Sequence, residues 1–132
     1  SHVTSVGNCT IDDQPITVTH DNEAQDFSML NAKSAGKSVK INCDGLVPGE
    51  WVYTVGHAKG WPKQLMVPLY FRGERSGPNG LAVLHGLTTV IPGMSGGPVL
   101  NSRGEAVATV NVYDPFKVLS GVRELSQTAA CK

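Results

Sequence analysis

Short apolar runs rich in β-branched and aromatic residues recur along the chain about every ten residues, separated by Gly, Pro, Asn and Asp. Little of the sequence has helical periodicity, and no segment repeats. The pattern predicts nine strands, at residues 16–19, 27–31, 38–42, 51–55, 64–72, 81–87, 98–101, 105–112 and 117–122. It is typical of an antiparallel barrel or sandwich, and the segment after Val122 is a candidate for a short closing helix.

Length and charge limit the class of protein. The chain has 132 residues, 40% of them hydrophobic, which suffices for a single domain with a true core. Its 11 Lys and Arg residues balance 11 Asp and Glu residues, so there is no overall electrostatic footprint for nucleic acid or an anionic membrane. No apolar run has the length of a membrane span, and the first residues lack a signal-peptide pattern. We therefore expect no nucleic-acid partner and no membrane span in this chain.

The three cysteines, Cys9, Cys43 and Cys131, are an odd number at wide spacings, without the paired CxxC motif of a zinc site. We expect buried or free thiols, which favours a reducing compartment. The spacings leave open whether any two of them form a disulfide. No pattern in the sequence indicates a metal or another cofactor.

The most informative motif is Gly-Met-Ser-Gly-Gly-Pro at residues 93–98. It places Ser95 among small residues that allow close approach of the backbone to a reacting carbonyl, although a plain turn between strands has the same composition. The motif also fits the Gly-x-Ser-x-Gly nucleophile elbow, which requires its histidine after the serine. All four histidines precede Ser95, and this order excludes the elbow: His2, His20, His57 and His85.

Residues 93–101, followed by Gly-Glu-Ala-Val-Ala-Thr-Val at 104–110, resemble the nucleophile hairpin of trypsin-like serine proteases. They are most similar to the compact branch of HtrA-type enzymes, glutamyl endopeptidases and proteases of positive-strand RNA viruses. Residues 48–56 resemble an early strand of the family's second barrel. Residues 26–30 resemble the family's aspartate segment, and Ser1-His2-Val3 resembles the end of its histidine signature.

The resemblance implies an all-β, chymotrypsin-like double β-barrel. The strands that precede the family's histidine are missing from this chain, so we expect the N-terminal barrel to be incomplete. The expected domains are residues 1–45, the remainder of the N-terminal barrel, and residues 46–132, the C-terminal barrel carrying the nucleophile. A further segment or chain that completes the first barrel is an expected partner.

By resemblance, the catalytic triad is His2, Asp26 and Ser95, and the amides of Gly93 and Ser95 form the oxyanion hole. In such a triad the histidine takes the serine proton, and the aspartate fixes the imidazole tautomer and stabilises the imidazolium. Asp26 is preferred among the acids because an apolar strand follows it directly and would bury its surroundings.

The rival residues have simpler interpretations. His20 lies in a polar, turn-like stretch and is expected to be solvated, whereas His57 follows Asp26 and is on the wrong side of it for the base. His85 lies on a predicted strand, where packing and substrate contact are equally good interpretations. Three other acids are expected to be surface carboxylates: Asp12, Asp13 and Asp21.

The resemblance also implies where the substrate side chain binds. The pocket residues would be Thr88, Thr89, Val90, Asn111, Leu119, Ser120 and Gly121. No acid stands among them to bind Lys or Arg, and residues 106–110 lack the histidine of glutamine-cleaving viral relatives. We therefore expect cleavage after a small or medium apolar residue.

These features predict a serine endopeptidase acting on a peptide or polyprotein through an acyl-enzyme. The alternative is an inactive or truncated protease-fold module with a binding or structural role. The odd cysteine count and short loops favour a viral polyprotein-processing enzyme, located in the host cytoplasm, over a bacterial one that is secreted or periplasmic.

Overall fold

Antiparallel strands dominate the structure, a computed structural model that describes residues 10–11, 14–31, 38–56, 63–77, 80–86, 96–114 and 119–131. Every strand pair within sheets is antiparallel. The strands are β1 (Thr10–Ile11), β2 (Gln14–Pro15), β3 (Thr17–Asn22), β4 (Phe27–Asn31), β5 (Trp51–Gly56), β6 (Leu65–Ser76), β7 (Leu81–Gly86), β8 (Pro98–Leu100), β9 (Ala106–Asp114) and β10 (Leu119–Glu124). Two 3₁₀ turns, Leu125–Gln127 and Ala129–Cys131, stand where a short closing helix was expected.

Six strands close into one barrel, in the order β10-β7-β6-β5-β8-β9 with β9 pairing back to β10. Alternate residues point inward, so β5 buries Val52 and Thr54 while β6 buries Val67, Leu69 and Phe71. The rest of the apolar core comes from Leu46, Ala82, Leu84, Val99, Val107, Ala108, Val110 and Val122. The period-two burial along these strands is thus the inside and outside of a barrel wall.

The N-terminal part is built differently. In the part of the chain that the structure describes, it consists of two separate two-stranded sheets, β1–β2 and β3–β4, rather than a closed barrel. The chymotrypsin-like fold with an incomplete first barrel is therefore confirmed. The expected burial around Asp26 is partial: Asp26, Phe27 and Ser28 are half-buried, whereas Met29 and Leu30 are exposed. Met29 and Leu30 are successive residues and point to opposite faces of β4, so both faces are exposed toward the end of this strand.

The segment between the two parts runs beside the start of β9 instead of forming the predicted strand at 38–42. Ile41 makes one parallel bridge with Ala106, whose amide also donates to the Lys40 carbonyl at 2.8 Å. The Glu105 carboxylate accepts hydrogen bonds from the side-chain amides of Asn101, at 2.9 Å, and Asn42, at 3.1 Å. These two hydrogen bonds, with the larger effect from Asn101, lower the pKa of Glu105 to about 2. The network joins this segment to the turn between β8 and β9.

A disulfide between Cys43 and Cys131 joins the same segment to the last 3₁₀ turn, across 88 residues of sequence. The expectation of buried or free thiols is therefore wrong for these two cysteines, and Cys43 is exposed rather than buried. The preference for a reducing compartment loses its basis, because disulfides persist mainly in oxidising ones. Cys9 lies outside the described residues.

Candidate active site

Asp26 ends a tight turn, residues 23–26, that connects β3 to β4. Its amide donates to the Glu23 carbonyl at 3.2 Å, and its φ of +50° lies in the left-handed region. Asp and Asn adopt this region more readily than other non-glycine residues. Asn22 holds the turn from the other side, since its side-chain oxygen accepts the Gln25 amide at 3.1 Å and its Nδ2 donates to the Gln25 side chain at 3.2 Å. The turn is thus fixed by its own hydrogen bonds.

Gln25 anchors this turn to the C-terminal barrel. Its carbonyl accepts Asn111 Nδ2 at 3.2 Å and Arg123 Nε at 3.4 Å, and its own Nε2 donates to the Gln127 carbonyl at 2.8 Å. Arg123 also donates from Nη1 to the Gln127 side-chain oxygen at 3.3 Å. Arg123 is 2% exposed, and burial lowers its pKa while neighbouring Glu124 opposes the shift. The residue before Asp26 is thus held by both β9 and β10.

The chain that follows the predicted nucleophile also meets β9. The Gly96 amide donates to the Val110 carbonyl at 2.7 Å, and the Val110 amide donates to the Gly97 carbonyl at 3.0 Å. Gly96 has a φ of +86°, a conformation that a side chain would strain. The glycines of the motif therefore serve a tight entry into β8, directly after Ser95 in sequence.

Asn111 follows Val110 on β9, so this strand contacts both the turn before Asp26 and the chain after Ser95. Val110 binds the residue after Ser95, and Asn111 binds the residue before Asp26. Ser95 and Gly93, and likewise His2, lie outside the described residues. The residues that flank two predicted triad members, Gly96 and Gln25, are therefore hydrogen-bonded to adjacent residues of one strand.

Three of the predicted pocket residues line one cavity of about 200 Å³ on the outer side of the barrel. Its walls are Ser76, Leu81, Val83, Val112, Leu119, Ser120 and Gly121. Asn111, also predicted there, directs its amide to Gln25 and is absent from the lining. Thr88, Thr89 and Val90 lie outside the described residues. The sequence analysis missed Val112, although its position next to Asn111 was the available signal.

Gly121 and Val112 face each other across β10 and β9 inside this cavity. A Cβ placed on Gly121 would stand 2.8 Å from Val112 Cγ2 and 3.4 Å from Leu81 Cδ1. The absence of a side chain at Gly121 therefore keeps the cavity open. Its walls are mostly aliphatic, so the cavity suits an apolar side chain.

Among the other histidines and acids considered for the triad, some described residues are exposed to solvent and one is packed in the barrel wall. His20 and Asp21 are exposed, in agreement with their expected solvation. His85 is partly buried, with Nε2 at 3.0 Å from Glu74 Oε1 and its ring centroid 5.8 Å from that of Tyr70. Packing is therefore the better interpretation of His85. The remaining rivals, Asp12, Asp13 and His57, lie outside the described residues.

Metal and membrane features can be tested in the described part of the chain. None of its His, Cys, Asp and Glu residues cluster in groups of three or more that could hold a metal ion. None of its helices is long and apolar enough to cross a membrane.

Comparison with known proteins places the chain in a family. The sequence model of the trypsin-like peptidase domain matches residues 5–108, most of the chain. The chain therefore belongs to the trypsin-like peptidase family. No curated protein sequence gave a significant match.

Solved structures confirm the fold. The active form of the Rv3671c protease from M. tuberculosis is 18% identical over 92% of this chain and 60% of its own, with a TM-score of 0.73. An inactive serine-to-alanine mutant of that protease gives 18% identity, 86% and 62% coverage and a TM-score of 0.66. The MamO protease domain from Magnetospirillum magneticum is 18% identical over 83% of this chain and 62% of its own, with a TM-score of 0.59. The chain thus spans about three fifths of the length of these structures.

Proposed function

We propose that this chain is the catalytic domain of a serine endopeptidase, with Ser95 as nucleophile, His2 as general base and Asp26 as the acid that orients it. The observation that carries the proposal is the meeting of two flanking residues on β9, where Val110 binds Gly96 and Asn111 binds Gln25. A triad needs residues distant in sequence to converge within hydrogen-bond reach. Convergence of their neighbours on one rigid strand supports that requirement.

The chemistry follows from the roles of these groups. The Ser95 hydroxyl attacks the scissile carbonyl as His2 removes its proton, and the same proton then goes to the leaving amine. The Gly93 and Ser95 amides stabilise the oxyanion, each donor being worth on the order of a hundredfold or more in rate. Water attacks the resulting acyl-enzyme with His2 again as base. The proposed division places this site between residues 1–45 and a C-terminal domain, residues 46–132, built on the closed barrel.

A fluorophosphonate probe tests this function, because it phosphonylates only a serine whose nucleophilicity is raised by a functioning site. We expect one label per chain, located at Ser95 by mass spectrometry and abolished in Ser95→Ala. The matched control is Ser102→Ala, in the exposed turn after β8, which should be labelled at the wild-type rate. Failure of the wild type to react would instead favour the alternative, a protease-fold module without turnover.

The cavity between β7, β9 and β10 supports a preference for a small or medium apolar residue before the cleaved bond. Val83, Val112 and Leu119 offer aliphatic contacts, and none of the described residues that line the cavity is acidic and able to bind Lys or Arg. We propose that this cavity receives the substrate side chain. A peptide library should therefore be cut mainly after residues such as Ala, Val or Leu. Dominant cleavage after Glu, Gln or Arg would contradict the assignment.

Gly121→Ala tests the same cavity by substitution. The added methyl group would meet Val112 Cγ2 at 2.8 Å, so the cavity must shrink or its wall must shift. We expect kcat/KM for the preferred apolar peptide to fall about 10-fold or more, in the range that one methylene group changes in a hydrophobic pocket. Fluorophosphonate labelling of Ser95 should change little, because a small probe does not need the cavity. Equal losses in both assays would indicate a disturbed fold instead.

The disulfide bears on location. Because Cys43 and Cys131 are joined, we propose an oxidising compartment, which fits a bacterial secreted or periplasmic enzyme better than a viral one in the host cytoplasm. Alkylation of the protein isolated under non-reducing conditions should modify neither cysteine. Modification of both would contradict the proposed compartment.

A further inference from the structure

Asn111 occupies a β-bulge in β9. On β10, Gly121 pairs with Val112 and Val122 pairs with Val110, so Asn111 is an extra residue with no partner position on that strand. The bulge reverses the inside-outside alternation, since Val110 is 1% exposed and Val112 is 56% exposed. Bulges of this kind redirect a side chain away from its regular position in the sheet.

The redirected side chain holds one particular peptide group. Asn111 Nδ2 donates to the Gln25 carbonyl at 3.2 Å, and that carbonyl belongs to the planar peptide group that continues into the Asp26 nitrogen. The Asp26 N–H, at the opposite edge of the same peptide group, donates to the Glu23 carbonyl at 3.2 Å. Both the C=O and the N–H of this peptide group are thus hydrogen-bonded, which fixes the direction in which the Asp26 side chain leaves the turn.

We propose that Asn111 is a positioning residue for the reaction: it holds the Gln25–Asp26 peptide group in register with β9, the strand that also binds the residues after Ser95. The inference rests on the proposed function. Asn111 is well placed for this role because Val110, its neighbour, binds Gly96. One strand therefore sets the position of the nucleophile hairpin and of the acid turn together.

Arg123 assists but has a different main task. Its Nε lies 3.4 Å from the same carbonyl, longer than the Asn111 contact, and its Nη1 binds the Gln127 side chain at 3.3 Å. Its guanidinium is almost fully buried, so its replacement would disturb the barrel end as well as the turn. Asn111 is half-buried at the surface of the barrel, and its replacement separates positioning from folding.

The experiment measures the rate of Ser95 labelling by a fluorophosphonate across pH in Asn111→Ala and Asn111→Asp. Alanine removes the donor, and aspartate keeps the shape but offers acceptors only. Both variants should react about 10–100-fold more slowly, since small misplacements of catalytic groups have effects of this size. In Asn111→Ala, which adds no charge, the pH midpoint of labelling should move down toward the value of about 6.5 of an unperturbed histidine, because a displaced carboxylate stabilises the imidazolium less.

Asn31→Ala, an exposed asparagine on β4, is the matched control and should keep the wild-type rate and pH midpoint. If Asn111→Ala does not fold, Asn111→Ser replaces it, because the serine hydroxyl is too short to reach the Gln25 carbonyl. A folded Asn111→Ala with an unchanged rate and midpoint would overturn the inference.

Amide hydrogen exchange distinguishes failure of the inference from failure of the proposed function. Loss of the Asn111 contact should speed exchange at Gln25 and Asp26 whether or not Ser95 reacts. A wild type that takes no label overturns the proposed function and, with it, the catalytic part of this inference. Unchanged exchange at Asp26 in Asn111→Ala overturns the anchoring itself.

Discussion

Asp26→Asn is expected to lower turnover by about 10⁴-fold while leaving the fold intact. An amide in place of the carboxylate stabilises the wrong imidazole tautomer and adds no negative charge to balance the imidazolium. The substitution is structurally mild at this position, because asparagine tolerates the left-handed conformation that Asp26 adopts, with φ of +50°. The backbone hydrogen bonds of the turn, including the one from the Asp26 amide to Glu23, do not depend on the side chain.

Steady-state cleavage of an apolar peptide measures the effect, and thermal unfolding measures the fold. Asp21→Asn is the control, since Asp21 lies on the same hairpin and its carboxylate accepts the Ser28 hydroxyl at 2.6 Å in an exposed position. That variant should retain most of the wild-type kcat. A retained tenth or more of the activity in Asp26→Asn would remove Asp26 from the triad.

The barrel was predictable because its signal is local. The apolar run at residues 51–55 predicts β5 directly, although which residues point inward, Val52 and Thr54 rather than Trp51, is not given by an alternation of polar and apolar residues. The observed strand ends differ from the predicted ones where pairing with a neighbouring strand, rather than local composition, decides where the strand stops. β6 continues to Ser76 beyond the predicted end at residue 72, since a register shift between Phe71 and Arg75 lets the strand go on pairing with β7.

Features that depend on distant partners could not be predicted. The Cys43–Cys131 bond joins residues 88 apart, and no spacing rule selects it from three cysteines. The exposure of Met29 depends on what packs against β4, which composition does not reveal. In the sequence, Asn111 lies near the end of the strand predicted at residues 105–112. Only the pairing register shows that Asn111 forms a bulge, from which its side chain reaches Gln25.

Glu124→Ala is expected to lower the free energy of unfolding by about 2–4 kcal/mol, because the hydrogen bonds of a buried carboxylate are lost and its space is left empty. The Glu124 carboxylate is 2% exposed and receives Arg75 Nε at 3.2 Å and Arg75 Nη2 at 3.0 Å. The Leu46 amide donates to it at 3.1 Å from a buried residue. Alanine leaves that amide without its acceptor and opens a void at the end of β10.

Urea denaturation at neutral pH measures the loss, and Glu74→Ala gives its scale. Glu74 also forms a close contact, with His85 at 3.0 Å, but its side chain is 57% exposed, so its removal should cost less than about 1 kcal/mol. Similar losses from Glu124→Ala and Glu74→Ala would contradict the assigned role of burial.

Arg75→Ala completes a double-mutant cycle that separates the ion pair from the void. Arg75 is 45% exposed, so the cost of its removal comes mainly from the Glu124 carboxylate that stays buried without its cation. In the double variant this charge is gone, and the combined loss should be smaller than the sum of the two single losses. Because Glu124 directly follows Arg123, which binds Gln25 at 3.4 Å, the same variants should also weaken anchoring of the Asp26 turn. Strictly additive losses would show that Glu124 stabilises the fold independently of Arg75.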